Sequence, residues 1–238
     1  MKEEFEEVTE TSALREQVYL TICHALMRGD FAPGQKITIR ALASMTGTSL
    51  TPVRDALNRL VAENILRGEA NRSVIVPTLT GQEIRELRDI RIVNETFATK
   101  IAAAKISGAQ VQSLREIAGR LNVARTKGDK ELDLKAIYEF QFTLYEISGM
   151  PLLLKIIRNL WLKSGPYLHL LFPDYIDQLK GSRGDWRARL CDALESNDVD
   201  VACREILDDV NDAMTYAAAV SDAAVSYRMI GKGGVRLS

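Results

Sequence analysis

Three polar side chains that could contact a nucleic acid recur on one face of a short segment, residues 38–66. Arg54, Asn58 and Arg59 carry hydrogen-bond donors that suit phosphate oxygens and the edges of bases. The other face of the segment is apolar at helical spacing, with Val53, Leu57, Leu60 and Val61. This periodicity predicts a helix that packs against a core on one side and offers donors to a polyanion on the other.

A second short element must hold this helix in place. The apolar pattern before Gly47 predicts a preceding helix, and Gly47 interrupts it. Pro52 lies where the second helix would begin, and Ser49 or Thr51 can cap its free amide groups. The pattern therefore predicts a helix-turn-helix. An ordinary helical hairpin inside a core explains this segment alone equally well.

The chain before this motif is acidic and then helical in pattern. Residues 1–10 contain five glutamates against one lysine and predict a disordered, solvated tail. Thr11 or Ser12 can then cap a helix that runs to Arg28. Over residues 11–78 the lysines and arginines exceed the acidic residues by eight to five, although the whole chain has a net charge of −1. The region around the motif is therefore locally basic, which favours a polyanionic partner.

Two short β-prone runs follow the motif, residues 65–67 and 73–76. The polar segment between them contains Gly68 and Asn71, which tolerate a positive φ, so a β-hairpin with a cationic tip is expected. Three helices followed by a hairpin predict a winged helix-turn-helix over residues 11–78. The added hairpin favours a DNA-binding winged helix-turn-helix over an ordinary helical hairpin inside a core.

The rest of the chain reads as helices, punctuated by glycine and proline after a boundary at Pro77. Six amphipathic helices are expected and predict an all-α bundle over residues 79–230, with a flexible tail over 231–238. Their predicted ranges are 80–106, 109–127, 130–147, 151–164, 174–195 and 198–225. The fold class is thus mainly α, a winged helix-turn-helix followed by an all-α bundle of six to seven helices.

Composition excludes several classes of protein. The three cysteines have neither the even number of a disulfide framework nor the spacing of a zinc site. The start of the chain does not resemble a secretory signal, and no run approaches the roughly 20 apolar residues of a membrane helix. We therefore expect a cytoplasmic protein with no membrane partner. No nucleophile–base pair or phosphate-binding loop is evident, so an enzyme is not expected.

Several motifs narrow the prediction. They are residues 26–34 (LMRGDFAPG), the Arg40-Ala-Leu-Ala run, residues 49–60 (SLTPVRDALNRL), residues 91–95 (RIVNE) and residues 140–149 (FQFTLYEISG). The first three closely resemble the GntR family of bacterial transcription regulators, and the last two resemble the FCD ligand-binding domain of its FadR-like branch. The resemblance implies a homodimeric regulator that binds a palindromic double-stranded operator and responds to a small-molecule effector, and we expect it to act as a repressor.

The resemblance also implies DNA contacts at Arg40, Leu50 and Arg54 and at the wing tip near Asn71. The full set of contacts that we expect is Arg40, Ser49, Leu50, Thr51, Pro52, Arg54, Asn58, Asn71 and Arg72. Two of them depart from the family pattern. Relatives commonly have arginine at position 50, and a leucine there can pack on a thymine methyl but cannot donate to guanine. Asn71 replaces the usual glycine of the wing. Arg54 is therefore expected to read bases, and Arg40 and Arg72 to contact phosphates.

Many FCD domains hold a metal ion, and the matching positions here are Ile137, Gln141, Arg187 and Asp209. Only Asp209 is a good ligand, and Arg187 would add a cation to the site. We therefore predict that the metal site is lost and that no cofactor is needed.

The residues expected to line the effector cavity are Arg91, Glu95, Tyr138, Gln141, Tyr145, Arg187 and Asp209. Arginine forks suit a carboxylate or phosphate, so the effector is expected to be anionic. Two alternatives stay open: Arg187 and Asp209 could form an internal salt bridge that replaces the metal as a strut, or the bundle could have lost ligand sensing and only dimerise.

Overall fold

The computed structural model describes the backbone of residues 2–69, 73–171 and 184–232, and side chains between residues 12 and 224 of these ranges. The N-terminal part contains three helices and a three-stranded antiparallel sheet with strand order β1-β3-β2. Its elements are α1 (Lys2–Met27), β1 (Lys36–Thr38), α2 (Ile39–Thr46), α3 (Leu50–Ala62), β2 (Arg67–Glu69) and β3 (Ser73–Ile75). The predicted winged helix-turn-helix is confirmed.

Two predictions for this part were wrong. Helix α1 begins at Lys2, so the stretch predicted as a disordered tail is helical. Glutamate is a good helix former and is favoured near a helix N-terminus, which explains the extension. The sequence also failed to predict β1, because a strand of three residues with one buried side chain, Ile37, is too short to show alternation.

The residues expected to end α2 and to begin α3 lie at the ends of these two helices. Thr38 caps α2 by accepting a hydrogen bond from the amide of Ala41, and Gly47 ends the helix with a φ of 65°. Ser49 occupies the cap position of α3, as one of the two predicted caps, but its side chain makes no capping hydrogen bond. Pro52 lies in the first turn, where its missing N–H leaves no helical bond unmade.

The second part of the chain is an all-α bundle. Its elements are α4 (Gly81–Ala103), α5 (Gly108–Lys127), α6 (Lys130–Glu146), α7 (Pro151–Ser164), a 3₁₀ helix (Gly165–Leu171), α8 (Trp186–Glu195) and α9 (Val199–Lys232). Thr80 and Glu83 form a reciprocal capping box at the start of α4. The predicted helix over 174–195 corresponds to α8 only from Trp186 onward, since residues 172–183 lie outside the described part. Helix α9 continues to Lys232, beyond the start of the predicted tail, whose residues 233–238 are not described.

Helix α9 packs along α4 and also contacts α8 and the 3₁₀ helix. Its buried stripe includes Ala202, Ile206 and Val210, as the periodicity predicted. The helices of the described ranges all lack a stretch that is long and apolar enough to span a bilayer.

The bundle contacts the N-terminal part through α1, which lies against α7 and the 3₁₀ helix. Gly165 lies directly under the end of α1: a Cβ atom there would be 2.6 Å from the Met27 Cα. The segment before α4 is also held by the bundle, because the Tyr167 hydroxyl accepts a hydrogen bond from the Leu79 amide and Ser221 donates to the Leu79 carbonyl. The two parts are thus joined at two places around the 3₁₀ helix.

Candidate nucleic-acid interface and buried cavity

Helix α3 presents a polar face to solvent at its N-terminal half. Its side chains at Leu50, Thr51, Arg54 and Asn58 are exposed, while Val53, Leu57 and Leu60 are buried beneath them. Neither Arg54 nor Asn58 makes a side-chain hydrogen bond or ion pair with any residue that the structure describes. These donors are available to an external partner.

Arg59 was expected to face a nucleic acid, but its side chain contacts residues of α1 and α3. Its guanidinium donates to Glu63 at 3.0 Å and to Glu16 at 2.8 Å, and lies 3.6 Å from the centroid of the Tyr19 ring. Tyr19 in turn donates to Glu63 at 2.8 Å. Arg59 therefore joins α3 to α1 inside the domain, and the expectation that it faces a nucleic acid was wrong.

Other predicted contacts fall into three groups. Arg40 and Ser49 are exposed, as a DNA contact requires, whereas Pro52 is buried and packs inside the domain. Pro52 was therefore wrongly placed among the contacts, because its position at the helix start also puts it on the apolar side. Asn71 and Arg72 lie outside the described residues. A groove of about 250 Å³ separates Arg54 and Asn58 from the strands of the wing.

A small cavity lies in the bundle between α4, α6, α7, the 3₁₀ helix, α8 and α9. It encloses about 30 Å³, which is room for about two water molecules. Most of its wall is apolar, with Ile137, Trp161, Leu168, Leu171, Val210, Ala213, Met214 and Ala217. Its polar lining comes from Arg91, Arg125, Tyr167, Arg187 and Asp209.

Arg91 is fully engaged with other groups of the protein. Its guanidinium donates to both carboxylate oxygens of Glu95, at 2.6 and 3.2 Å, and to the Ser164 hydroxyl at 3.1 Å. Burial alone would lower the pKa of Arg91, but the charge of Glu95 and the hydrogen bond to it outweigh burial, and the pKa is raised. Arg91 is thus already neutralised and does not offer the free fork that the sequence suggested.

Four of the predicted effector residues form one buried hydrogen-bonded chain behind the cavity wall. Glu95 accepts from the Tyr145 hydroxyl at 2.6 Å, and this hydroxyl lies 3.0 Å from the Gln141 side-chain oxygen. The Gln141 amide donates to Asp209 at 2.9 Å. These side chains lie together, but Glu95, Gln141 and Tyr145 support the cavity lining and are not part of it.

Arg187 is a buried cation without an acceptor. The residue is 4% exposed, its Nε atom has no hydrogen-bond partner, and it forms no ion pair with the described carboxylates. Its guanidinium carbon lies 4.1 Å from the Trp186 ring centroid and 5.4 Å from that of Phe140. Burial, partly offset by the charge of Asp209, lowers the pKa of Arg187 to about 10, so the side chain is charged at pH 7.

This geometry decides one of the alternatives. A strut between Arg187 and Asp209 requires an ion pair within 4 Å, and none forms between these two described residues. Asp209 accepts from Gln141 instead. The structure therefore shows no ion pair between Arg187 and Asp209, although the charge of Asp209 in the same cavity wall acts on the pKa of Arg187.

Some residues were misplaced or missed by the sequence. Tyr138 was expected in the effector site, but its ring lies 5.7 Å from that of His24 in α1 and 4.5 Å from that of Phe142. It belongs to the contact between α1 and the bundle, because it directly follows the cavity-lining Ile137 and so lies on a different face of α6. Arg125 and Tyr167 line the cavity and were not predicted. Arg125 is held by Asp133, at 3.2 Å from both carboxylate oxygens.

The cavity does not suit a metal ion. Asp209 is its one carboxylate among the described lining residues, and Ile137 and Arg187, at two of the positions that the resemblance matched to metal ligands, are poor ligands. No group of three histidine, cysteine or acidic side chains converges anywhere in the described part. A guanidinium beside one carboxylate cannot complete the coordination of zinc or a similar ion.

Arg125 and Arg187 also line an open outer pocket of about 620 Å³, together with Asn122, Thr126 and Asp185. The two arginines therefore stand between this pocket and the inner cavity.

Comparisons with known proteins cover both parts of the chain. The family model "Bacterial regulatory proteins, gntR family" matches residues 14–76, and the FCD domain matches residues 86–212. The HTH-type transcriptional regulator McbR of Escherichia coli (strain K12) is 33% identical over 156 residues, which are 66% of this chain and 71% of McbR.

Solved structures agree with this likeness. The structure of E. coli McbR/YncC superposes with a TM-score of 0.74 at 29% identity, covering 91% of this chain and 98% of that one. A putative GntR transcriptional regulator from Rhodococcus sp. RHA1 has a TM-score of 0.66 at 19% identity, covering 86% and 97% of the two chains. The second likeness concerns the fold alone.

Proposed function

The chain belongs to the GntR family of bacterial regulatory proteins and carries an FCD domain, and from this premise we propose that it is a repressor that a small anionic metabolite releases from its operator. As a member of this family it is a DNA-binding transcription regulator and not an enzyme. In this proposal residues 11–78 bind DNA and residues 79–230 bind the effector and dimerise. Two copies bind the two halves of a palindromic operator.

The DNA-binding part of the proposal rests on the exposed face of α3. Arg54 reads a base edge because it lies on the exposed face, one turn into the helix, with no internal partner. Leu50, which is 41% exposed, packs on a thymine methyl group at the helix start. Arg40 contacts the phosphate backbone, and Arg72 in the wing does the same.

The first experiment tests this assignment. The operator is selected from random DNA by the wild-type protein, and its affinity is measured by fluorescence anisotropy at fixed salt. Arg54→Ala should bind it about tenfold or more weakly, since a bidentate base contact contributes about 1–3 kcal/mol. Arg115→Ala is the matched control, because Arg115 lies in the bundle and pairs with Asp192 and Glu195. Equal affinities of Arg54→Ala and the wild type would overturn the assignment.

The effector part of the proposal is carried by one observation, the buried guanidinium of Arg187, whose Nε atom has no hydrogen-bond partner and which forms no ion pair among the described residues. An unpaired buried charge is strongly unfavourable, and a carboxylate or phosphate of a ligand would supply the missing partner. The apolar lining of the cavity favours a ligand whose remaining surface is largely hydrocarbon. No metal is needed, since the guanidinium replaces it as the group that holds the anion.

The second experiment is a thermal-shift screen of organic acids and phosphate esters in the presence of EDTA. We expect at least one apolar acid to raise the melting temperature of the wild type and to weaken operator binding. The same compound should leave Arg187→Met unshifted and should still shift the control Arg115→Met. A compound that shifts Arg187→Met as much as the wild type would contradict the role of Arg187, and a response that EDTA abolishes would contradict binding without a metal.

A second candidate function is a regulator whose bundle only dimerises. The observation that favours it is the size of the cavity, which at about 30 Å³ holds no metabolite unless its wall moves. If the bundle only dimerises, Ala217→Leu would fill the cavity and leave the operator affinity of the protein unchanged. In the effector model the same substitution abolishes the response to the ligand while leaving operator affinity unchanged.

A further inference from the structure

A second pocket, the junction pocket, lies where the N-terminal part meets the bundle. It is open to solvent, has a volume of about 450 Å³, and shares no lining residue with the inner cavity. The 3₁₀ helix separates the two, since its Leu168 and Leu171 line the inner cavity and its His169 lines the junction pocket. Small-molecule sites commonly enclose about 300–1,000 Å³, so a small metabolite fits here.

The lining of the junction pocket is charged, in contrast to the apolar wall of the inner cavity. Three cations, Arg28, Lys130 and Lys135, face two carboxylates, Asp30 and Glu131. The cations exceed the carboxylates by one even with a neutral histidine. The lining therefore favours a hydrophilic ligand that carries an anionic group.

Several donors of the pocket have capacity for a ligand. The Arg28 guanidinium donates to Asp30 at 2.7 Å, and its other N–H groups have no partner among the described residues. The side chains of Lys135 and His169 form no hydrogen bond or ion pair within the described ranges. These groups can therefore bind an external acceptor without breaking an internal contact.

Lys130 gives a separate indication of an anion. The residue is half-buried, and its Nζ atom makes only a long hydrogen bond of 3.5 Å to the His169 carbonyl. Burial lowers the pKa of Lys130, because its charged form is poorly solvated there. A bound anion would favour the charged form and offset this cost.

We infer that the junction pocket binds a small phosphate monoester whose remaining part carries hydroxyl groups, as a sugar phosphate does. The phosphate dianion suits Arg28 and the two lysines, which donate to its oxygens. The two carboxylates would repel a second acid group but accept hydrogen bonds from hydroxyls.

The position of the pocket gives this ligand a role apart from the effector of the inner cavity. Arg28 follows α1 directly and belongs to the N-terminal part, whereas Lys130 and Lys135 belong to α6 of the bundle. A bound ester would therefore join the two parts and act on their relative position as a second input to the regulator.

The test is isothermal titration calorimetry of the full chain with glucose 6-phosphate, ribose 5-phosphate, inorganic phosphate and glucose at equal ionic strength. At least one ester should bind more tightly than inorganic phosphate, and glucose should not bind. If neither ester binds, the inference is overturned. If inorganic phosphate binds as tightly as both esters, the hydroxylated part of the ligand is overturned.

Two substitutions with opposite expected effects test the charges of the lining. Lys135→Gln should weaken ester binding about threefold or more, since it removes an exposed cation that has no described partner to lose. Glu131→Gln should strengthen the binding of inorganic phosphate, since it removes a like charge. The matched controls are Lys100→Gln on α4 and Glu116→Gln on α5, both exposed and outside the pocket. Unchanged binding in Lys135→Gln and in Glu131→Gln would exclude this pocket.

Arg187→Met distinguishes the junction pocket from the inner cavity. The polar esters should bind this variant as they bind the wild type, unlike the apolar acids proposed for the inner cavity. If Arg187→Met loses the esters while Lys135→Gln keeps them, the ester occupies the inner cavity. That result would overturn the junction site and leave the proposed effector site standing.

Discussion

Arg187 and Arg91 are buried in the same cavity wall, but of the two only Arg91 forms an ion pair with a carboxylate of the described residues, that of Glu95. The two side chains should therefore respond in opposite ways to replacement. Arg187→Met removes an unpaired charge and should raise the free energy of unfolding of the ligand-free protein by about 1–3 kcal/mol. Arg91→Met leaves Glu95 buried and unpaired and should lower it by about 3–5 kcal/mol.

Urea unfolding at pH 7, followed by circular dichroism, measures both changes. The comparison is internal, since both substitutions remove one guanidinium from one cavity and insert the same side chain. A loss of stability in Arg187→Met as large as that in Arg91→Met would show that Arg187 has an internal partner after all.

His24 gives the contact between α1 and the bundle a dependence on pH. Burial, reinforced by the charges of Arg28 and Arg158, lowers its pKa below the ordinary value of 6.5. Between the lowered pKa and 6.5 the unfolded chain binds more protons than the folded one, so stability falls as the pH falls through this window. The melting temperature should therefore drop between about pH 7 and pH 5.5.

The variant His24→Gln should flatten this part of the pH profile, and His169→Gln, the control at the second histidine of the sequence, should keep it. If the profile of His24→Gln keeps the wild-type slope, the pH dependence arises elsewhere.

Residue identity alone predicted which side chains carry chemistry but not which of them are already paired. Arg54 and Arg59 look alike in the sequence, five positions apart, and only the position of α1 decides that Arg59 is taken by Glu16 and Tyr19. Arg91 and Arg187 show the same limit. Pairing across elements depends on tertiary packing, which periodicity does not encode.

At the scale of elements, the 3₁₀ helix meets α1 at one glycine. A Cβ on Gly165 would meet the backbone of Leu26 and Met27, which cannot yield as a flexible side chain can. Gly165→Ala should therefore destabilise the protein by separating the two elements, with a loss of about 1–3 kcal/mol. Differential scanning calorimetry measures the change.

Gly119→Ala is the matched control for this substitution. Gly119 lies within α5, and no atom of the described residues comes within 4 Å of a Cβ placed there. Alanine should stabilise this helix by about 0.5–1 kcal/mol. A Gly165→Ala variant as stable as the control would mean that the contact with α1 is not tight.

Long elements with capping signals were predicted well, and short or pairing-dependent ones were not. The Thr80–Glu83 capping box and the glycine that ends α5 mark their helices in the sequence itself. Strand β1 exists because β3 supplies its hydrogen bonds, through the register of Ile37 opposite Val74. Such a strand has no local signal, since its stability comes from a partner more than thirty residues away.

At the scale of the molecule, Tyr167 connects the cavity to the N-terminal part. Its ring lines the cavity, and its hydroxyl accepts a hydrogen bond from the amide of Leu79, just before α4. A ligand that displaces the ring also displaces this segment, so the proposed effector response can pass through Tyr167. Tyr167→Phe should keep ligand binding but lose most of the ligand's effect on operator affinity.

Parallel thermal-shift and anisotropy titrations separate these two properties. Tyr138→Phe is the control, because its hydroxyl makes no hydrogen bond with a described residue although its ring lies at the contact with α1. A full response of Tyr167→Phe to the ligand would place the connection elsewhere.

Helix α4 buries the Arg91–Glu95 pair beside the cavity and begins two residues after Leu79, which Tyr167 holds. In the proposed dimer two such cavities act on one operator. Filling one cavity would then alter the vacant one, so that the second molecule of ligand binds with a different affinity from the first. With positive coupling, gene expression would rise with metabolite concentration along a sigmoidal curve, turning a gradual supply into a sharp threshold.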